Sequence, residues 1–347
     1  MKSSRVLTGA LIVGAVAISS MFAAAPASAA TLPAGAKITV VDSLDDQFYN
    51  VSPATADSAP VGTPAPIAQE VEGIDVDDAG LGYAVATLFV DIEEPEEFGP
   101  FYYPSEGWIY KADANTGKLT DGKPVVIDTG EIDTVANECS AIDYSKGVIL
   151  AVCYSYAEIL SSGTTWIGTI DFTTSPSATL TPLTSFSGEG FLHFSSIATN
   201  PVNGEIWGFD NTFLYAPGVW QITLDDEYPV FVEYTYNFEV LGADFDRGGQ
   251  LWLSVYQFVI PTLLANVSIL DLATFDFATN QPVVVDSFSS ADPYEITYPA
   301  SITVWGVLAA TGSSVSMAPA IAASGILLLG ALLAAGTMAL RRRSADV

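Results

Sequence analysis

Few side chains in this 347-residue chain are equipped for chemistry, and most of those are carboxylates. Asp75, Asp77 and Asp78 fall together in Asp75-Val76-Asp77-Asp78-Ala79-Gly80. Carboxylates this close in a turn suit Ca2+, which takes oxygen ligands. The spacing is not that of an EF-hand loop, and turns favour Asp and Gly for backbone reasons alone. A second acidic cluster, Asp91, Glu93, Glu94, Glu96 and Glu97, lies in a long connection over 86–107 with Pro95, Pro100 and the aromatics Phe98, Phe101, Tyr102 and Tyr103. Long ordered connections often carry function, so these aromatics form the candidate recognition loop. His193 is the only histidine. No Ser/His/Asp, Cys/His or zinc-binding pattern assembles around it in the sequence, and at the entry to a strand it reads as structural. The glycines serve turns rather than a phosphate-cradling loop.

Cys139 and Cys153 are the only cysteines. In an exported chain such a pair reads as a disulfide. Between them lie a strand, a turn centred near Lys146-Gly147 and a second strand. Positions equidistant from the turn of an antiparallel hairpin face each other, so the two thiols can meet. A metal or redox role would need partner ligands that the sequence does not supply.

The elements that must hold these residues repeat along the chain, and the repeat sets the fold class. One half of the unit is a strand, a polar turn with Gly and a second strand. It occurs at 73–85, at the Cys139–Cys153 hairpin, at Ser196-Ile197-Ala198-Thr199-Asn200-Pro201-Val202-Asn203-Gly204-Glu205-Ile206-Trp207-Gly208 and at 241–253. The other half is an aromatic-led strand, a turn and a last strand, beginning near Phe48, Trp108, Trp166, Val219 and Val267. Four strands per unit of roughly fifty residues, without an amphipathic helix, predict an all-β fold, a β-propeller of about five four-stranded blades. A β-sandwich or two-sheet stack is the alternative, and a sixth, degenerate unit could sit in the 86–107 connection. The pattern resembles extracellular propellers whose blades carry a "Pro/Asn-Gly turn, Leu-Trp" half and a "Tyr-x-Ile-Asp-x-x-Thr-Gly" half. Asn200 to Gly208 and Tyr110-Lys111-Ala112-Asp113-Ala114-Asn115-Thr116-Gly117 carry that likeness best. The chain enters with second-half strands, Lys37–Asp42 and Phe48–Val51, and ends with a spare strand region, Glu295 to Trp305. Pairing these two ends would complete a blade and remove open sheet edges.

Both flanks have their own physics. Lys2 and Arg5 precede an apolar stretch, Val6 to Phe22, and Ala27-Ser28-Ala29, the pattern of a secretory signal peptide over 1–30. Met317 to Leu340 carries no charge and is long enough to cross a bilayer as a helix. Arg341, Arg342 and Arg343 follow it, so the 341–347 tail faces the cytoplasm and the bulk of the chain lies outside. These flanks hold five of the 11 basic residues and one of the 40 acids, which leaves 6 basic residues against 39 acidic, a net charge of −33. Such a field repels nucleic acid and attracts cations and basic partners, and it also keeps a chain soluble.

A pentapeptide, Leu308-Ala309-Ala310-Thr311-Gly312, stands in the 306–316 linker between the 31–305 domain and the apolar run. Motif, helix and basic stop in that order resemble the cell-wall sorting signal of Gram-positive surface proteins, in the LAxTG form associated with class E sortases. The resemblance implies that a membrane sortase cuts between Thr311 and Gly312 and joins the Thr311 carbonyl to a peptidoglycan amine. A plain single-span anchor is the simpler alternative. The family often places a long Pro/Thr-rich stalk before the motif, and this chain has none.

Two functions fit these readings. One is a non-enzymatic surface module that presents loops to an extracellular protein, a glycan or a wall component. The other is a propeller enzyme, lactonase- or lyase-like and metal-dependent, using carboxylates that converge on a central channel. A carboxylate-and-amide ring at a channel mouth would favour the enzyme, and an aromatic patch on the outside would favour the binder.

Overall fold

The computed structural model describes residues 35–92, 101–130, 133–158, 162–188, 192–210, 218–224, 229–235, 238–259, 267–290 and 299–306. The chain divides into two units, Met1–Leu308 and Ala309–Val347, and all described residues belong to the first. The signal-peptide segment, the sorting pentapeptide, the 317–340 apolar run and the basic tail lie outside them. Among the described residues every regular element is a strand. No helix there is long and apolar enough to cross a membrane.

In chain order the strands are β1 (Lys37–Asp42), β2 (Gln47–Val51), β3 (Asp57–Val61), β4 (Glu70–Val76), β5 (Leu81–Ile92), β6 (Phe101–Asp113), β7 (Lys118–Asp128) and β8 (Asp133–Val135). They continue as β9 (Glu138–Ser145), β10 (Val148–Glu158), β11 (Ser162–Asp171), β12 (Ala178–Gly188), β13 (Phe194–Thr199), β14 (Ile206–Asp210), β15 (Gly218–Ile222) and β16 (Val230–Tyr234). The last are β17 (Phe238–Phe245), β18 (Leu251–Val259), β19 (Val267–Asp276), β20 (Gln281–Ser287), β21 (Ser289–Ser290) and β22 (Pro299–Trp305).

Four antiparallel meanders pair in chain order: β4 to β7, β9 to β12, β13 to β16 and β17 to β20. A fifth is β1 to β3, completed from the far end of the chain by β22, with Lys37 opposite Trp305 and Val41 opposite Ser301. The expected union of the two ends is therefore present. Parallel pairing of β7 with β12 joins two meanders into a nine-stranded sheet, and β21 lies parallel on β3. Five apolar layers fill the spaces between consecutive meanders. Phe48, Ile74 and Trp305 lie in one of them, and Ile38, Trp252 and Ile302 in the layer that joins last to first. Strands β22, β4, β9, β13 and β17 form the inside, each beside the next and β17 back beside β22.

The β9–β10 hairpin shows how sequence sets local structure. Lys146 and Gly147 both have positive φ, 54° and 82°, the two-residue turn whose twist matches its strands and which suits glycine at the second place. That turn alone pairs Ser145 with Val148 and would set Cys153 against Ser140. A bulge between Val152 and Cys153 moves the register by one residue and brings Cys153 opposite Cys139. The disulfide forms there, with the Cα atoms 4.0 Å apart. The displaced Ser140 gives its hydroxyl to the Phe194 carbonyl at 2.5 Å, tying the hairpin to the next meander. Breaking the disulfide with Cys139→Ser is expected to lower stability by about 3 kcal/mol, the chain-entropy value for a loop of this size. Urea unfolding of the variant beside the parent measures it.

The 86–107 stretch departs from expectation. Most of it is not a connection but the extension of a hairpin, β5 running to Ile92 and β6 starting at Phe101, with Asp91 opposite Tyr102 and Val90 opposite Tyr103. The β-branched and aromatic residues there, among them Val90, Ile92, Phe101, Tyr102 and Tyr103, favour a strand.

Candidate functional site

The inner strands lie side by side, yet among the described residues no ladder joins them. Their flanking N–H groups must find other acceptors. The main acceptors are carboxylates at one repeated position. Asp75 on β4 accepts from the Tyr144 N–H of β9 at 2.5 Å, Asp143 on β9 from the Thr199 N–H of β13 at 2.8 Å, and Asp244 on β17 from the Val304 N–H of β22 at 2.5 Å. Thr303 stands at the same place on β22 and donates its hydroxyl to Asp75 at 2.9 Å. On β13 the place is taken by Ala198. Two residues earlier, Ser301 accepts from the Ile74 N–H and Ser196 from the Ala243 N–H, at 3.0 and 2.8 Å. Where Gly242 stands instead, the next strand approaches so closely that a Cβ would lie 2.6 Å from the Ile302 nitrogen. The donors recur at a constant offset, so the inner strands run in one direction and the three Asp form a level in the ring.

These carboxylates are buried, and they line one wall of a cavity of about 610 Å3 that Tyr144, Lys146 and Arg247 help to close. Burial pushes all three pKa values up. The Asp143 charge adds to the rise at Asp75, and the charges of Asp75 and Asp143 add to it at Asp244, which stands well above the ordinary range. Hydrogen bonds from the neighbouring N–H groups oppose the rise at each without cancelling it.

The three acids singled out in the sequence go to different places. Asp75 belongs to the ring. Asp77 accepts from the Ala79 and Leu81 N–H groups at 2.8 and 3.0 Å and shapes its own turn. Asp78 is ion-paired with Arg247 across the cavity mouth. Among the described residues no group of three or more His, Cys, Asp or Glu side chains is placed to hold a metal ion. Of the candidate recognition aromatics, Phe98 lies outside the described residues, Phe101 and Tyr102 are strand residues of β6, and Tyr103 is a half-buried one.

A second polar cluster, not anticipated, sits where β9 and β13 begin. Glu138 opens β9, five residues before Asp143, or about 16 Å along a strand. Its two oxygens meet His193 Nε2 at 2.6 Å and the Tyr156 hydroxyl at 2.5 Å, while the His193 ring stacks on Tyr154 with centroids 4.7 Å apart. Burial alone would lower the His193 pKa, but Glu138, Glu72 and Asp210 outweigh it and the net direction is up. Burial would raise Glu138, and its imidazole and phenol partners hold it down instead. Half-buried Glu72 is pushed up to about 8 by burial and by the Glu138 charge. His193 is indeed a tied strand-entry residue; its partner, 55 positions away, could not be read from the sequence.

No family model matches the chain, and no curated protein matches it. Solved structures similar to it include a protein of unknown function from Bacteroides caccae, at 12% identity and TM-score 0.43, covering 78% of this chain and 99% of that one. A candidate 6-phosphogluconolactonase from Bacteroides fragilis is 10% identical, with TM-score 0.36 and 79% and 99% coverage. Hydrazine synthase from Kuenenia stuttgartiensis is 10% identical, with TM-score 0.35 and 74% and 66% coverage. Likeness at this level assigns no activity to this chain.

Proposed function

We propose that this chain is a five-bladed β-propeller displayed outside the cell as a non-enzymatic binding module, and that a sortase joins Thr311 to the cell wall. The observation that carries the non-enzymatic part is the commitment of the ring oxygens. Three carboxylates line the cavity, a partial form of the carboxylate-and-amide ring that would favour the enzyme, but Asp75, Asp143 and Asp244 each accept a main-chain N–H of the following inner strand. Carboxylates used this way frame the cavity rather than activate a substrate. The closed Cys139–Cys153 disulfide suits an oxidising compartment. The closing strand ends at Trp305, three residues before Leu308, so the pentapeptide can follow the domain directly without being part of its last strand.

The test of the sorting part is the intact mass of the protein released from purified cell wall by muralytic digestion. A C-terminus at Thr311 carrying wall fragments is the expected result. Full-length tail through Val347, recovered in the membrane fraction, would instead leave a single-span anchor and make the pentapeptide a coincidence.

A further inference from the structure

The apolar layer between the β4–β7 and β9–β12 meanders gives way at the half-buried rings of Tyr83 and Tyr144. Beside them lies a cleft of about 360 Å3. Its floor is one face of β5, β6 and β7. Tyr83, Lys111 and Thr120 stand opposite one another in one row across the three strands, and Leu81, Asp113 and Lys118 in the next. With about 4.8 Å between strands and about 7 Å between alternate residues, the two rows cover roughly 10 by 7 Å. Tyr144 of β9 stands against this floor, its ring edge-on to Tyr83 with centroids 5.1 Å apart.

Nearby polar groups are committed to the fold. Lys111 pairs with Asp121 at 2.7 Å, and Lys123 donates to the Phe172 and Thr174 carbonyls. Asp113 accepts from the Asn115 N–H and the Thr116 hydroxyl at 2.9 and 2.8 Å. Inside the cleft the opposite holds. Among the described residues the Lys118 ammonium, the Thr120 hydroxyl and the phenols of Tyr83 and Tyr144 have no hydrogen-bond partner. Asp77 spends only Oδ1, on the Ala79 and Leu81 N–H groups. The unspent set therefore holds a pure donor, a pure acceptor and three hydroxyls that serve as either. Between them lie flat ring surface and Leu81, which is 51% exposed. Three lysines meet three aspartates here, in a chain whose 31–311 part has 6 basic residues against 39 acidic, so no local excess of charge selects a polyion.

We propose that this cleft binds a neutral saccharide of one or two rings. A sugar offers what the cleft lacks: a C–H face to lie on the tyrosines and Leu81, and a rim of hydroxyls that both donate and accept. Lys118, Thr120 and Asp77 Oδ2 meet those hydroxyls, and the two phenols close the set, the pattern of an apolar site with a few convergent polar groups. The inference gives the binding-module reading its ligand class and rests on it, but not on sorting, which the C-terminal mass decides separately.

The experiment is saturation-transfer NMR of the full-length chain with maltose, cellobiose and N,N′-diacetylchitobiose, each titrated for affinity. Saturable binding of at least one of them at millimolar concentration is expected. Lys118→Met and Tyr144→Phe should each weaken it about fivefold, since each removes one hydrogen bond. Lys146→Met removes the same charge outside the cleft and should leave the affinity unchanged. Failure of all three sugars to bind would overturn the proposal. So would unchanged affinity in Lys118→Met, whose exposed side chain the fold does not use, or an equal loss in Lys146→Met. New resonances from a converted sugar would instead overturn the non-enzymatic reading, so the two failures are told apart in the same spectra.

Discussion

Taking the purified chain from about pH 5 to about pH 8.5 should lower its melting temperature by roughly 5–10 °C, since a domain of this size loses about 2–4 °C per kcal/mol. The cause is the set of carboxyls that folding pushes up. Burial raises Asp75, Asp143 and Asp244, takes Asp46 to about 7 and takes Glu72 to about 8. In the unfolded chain the same groups titrate near 4. Between those values the folded chain binds more protons than the unfolded one, so stability is full only below about pH 4 and falls as pH rises from there through the folded values of about 7 and 8. His193, also raised, acts in the same direction, because its link to Glu138 weakens when the imidazole loses its proton. Calorimetry across this range measures the slope. Asp244→Asn sharpens the test, for the amide oxygen can still accept the Val304 N–H without carrying a charge. The variant should melt higher than the parent at about pH 8.5, and the difference should narrow as pH falls and close only near pH 4, where the unfolded carboxyl is protonated too. A profile that instead rises with pH would mean that a bound cation holds these carboxylates ionised.

Replacing Trp305 with alanine should cost about 3–5 kcal/mol, the range for removing a large aromatic from a packed core. Trp305 is 4% exposed and packs in the layer between the first two meanders. Its Nε1 donates to Thr39 Oγ1 at 2.8 Å, and Lys37 Nζ lies 4.3 Å above the ring. One side chain thus fastens the closing strand to its partner β1 and to the neighbouring meander. Urea unfolding is the measurement, with Trp305→Phe as the companion: it keeps most of the apolar volume, loses the N–H, and should fall between alanine and the parent. A loss below about 1 kcal/mol for alanine, the size of an ordinary surface change, would mean that β22 does not hold the ring together.

Much of this architecture was legible because its signals are local. The turn residues of the first half-units, Asp77 to Gly80, Asn200 to Gly204 and Asp246 to Gly249, each sit between two strands that form as expected. The Cys139–Cys153 bridge and the union of β22 with β1 were likewise readable, the first from an isolated cysteine pair flanking one hairpin and the second from a half-unit missing at each end. What escaped depends on neighbours distant in sequence. Asp143 and Asp244 occupy the same place in their half-units as Asp75, and that recurrence was the available signal, but a turn-centred reading grouped Asp75 with Asp77 and Asp78 instead. Inner strands that run side by side without a ladder need side-chain acceptors, and only the ring geometry creates that need. The bulge before Cys153 and the long β5–β6 hairpin were missed because one-residue register shifts and strand length answer to packing rather than to composition.

The pairing of β1 with β22 joins residues 266 positions apart, as the Thr39–Trp305 bond records. A chain that threads through a pore from its N-terminus therefore delivers the two halves of that pair at opposite ends of the journey. Until the last strand arrives, β1 has an unpaired side and the apolar layer between the last and first meanders is open. Contacts of such long range form slowly, because closing the intervening loop is entropically unfavourable before any pairing rewards it. On the export proposed above, the final fastening of this fold comes only after β22 has crossed, so the domain would stay loose while it is threaded.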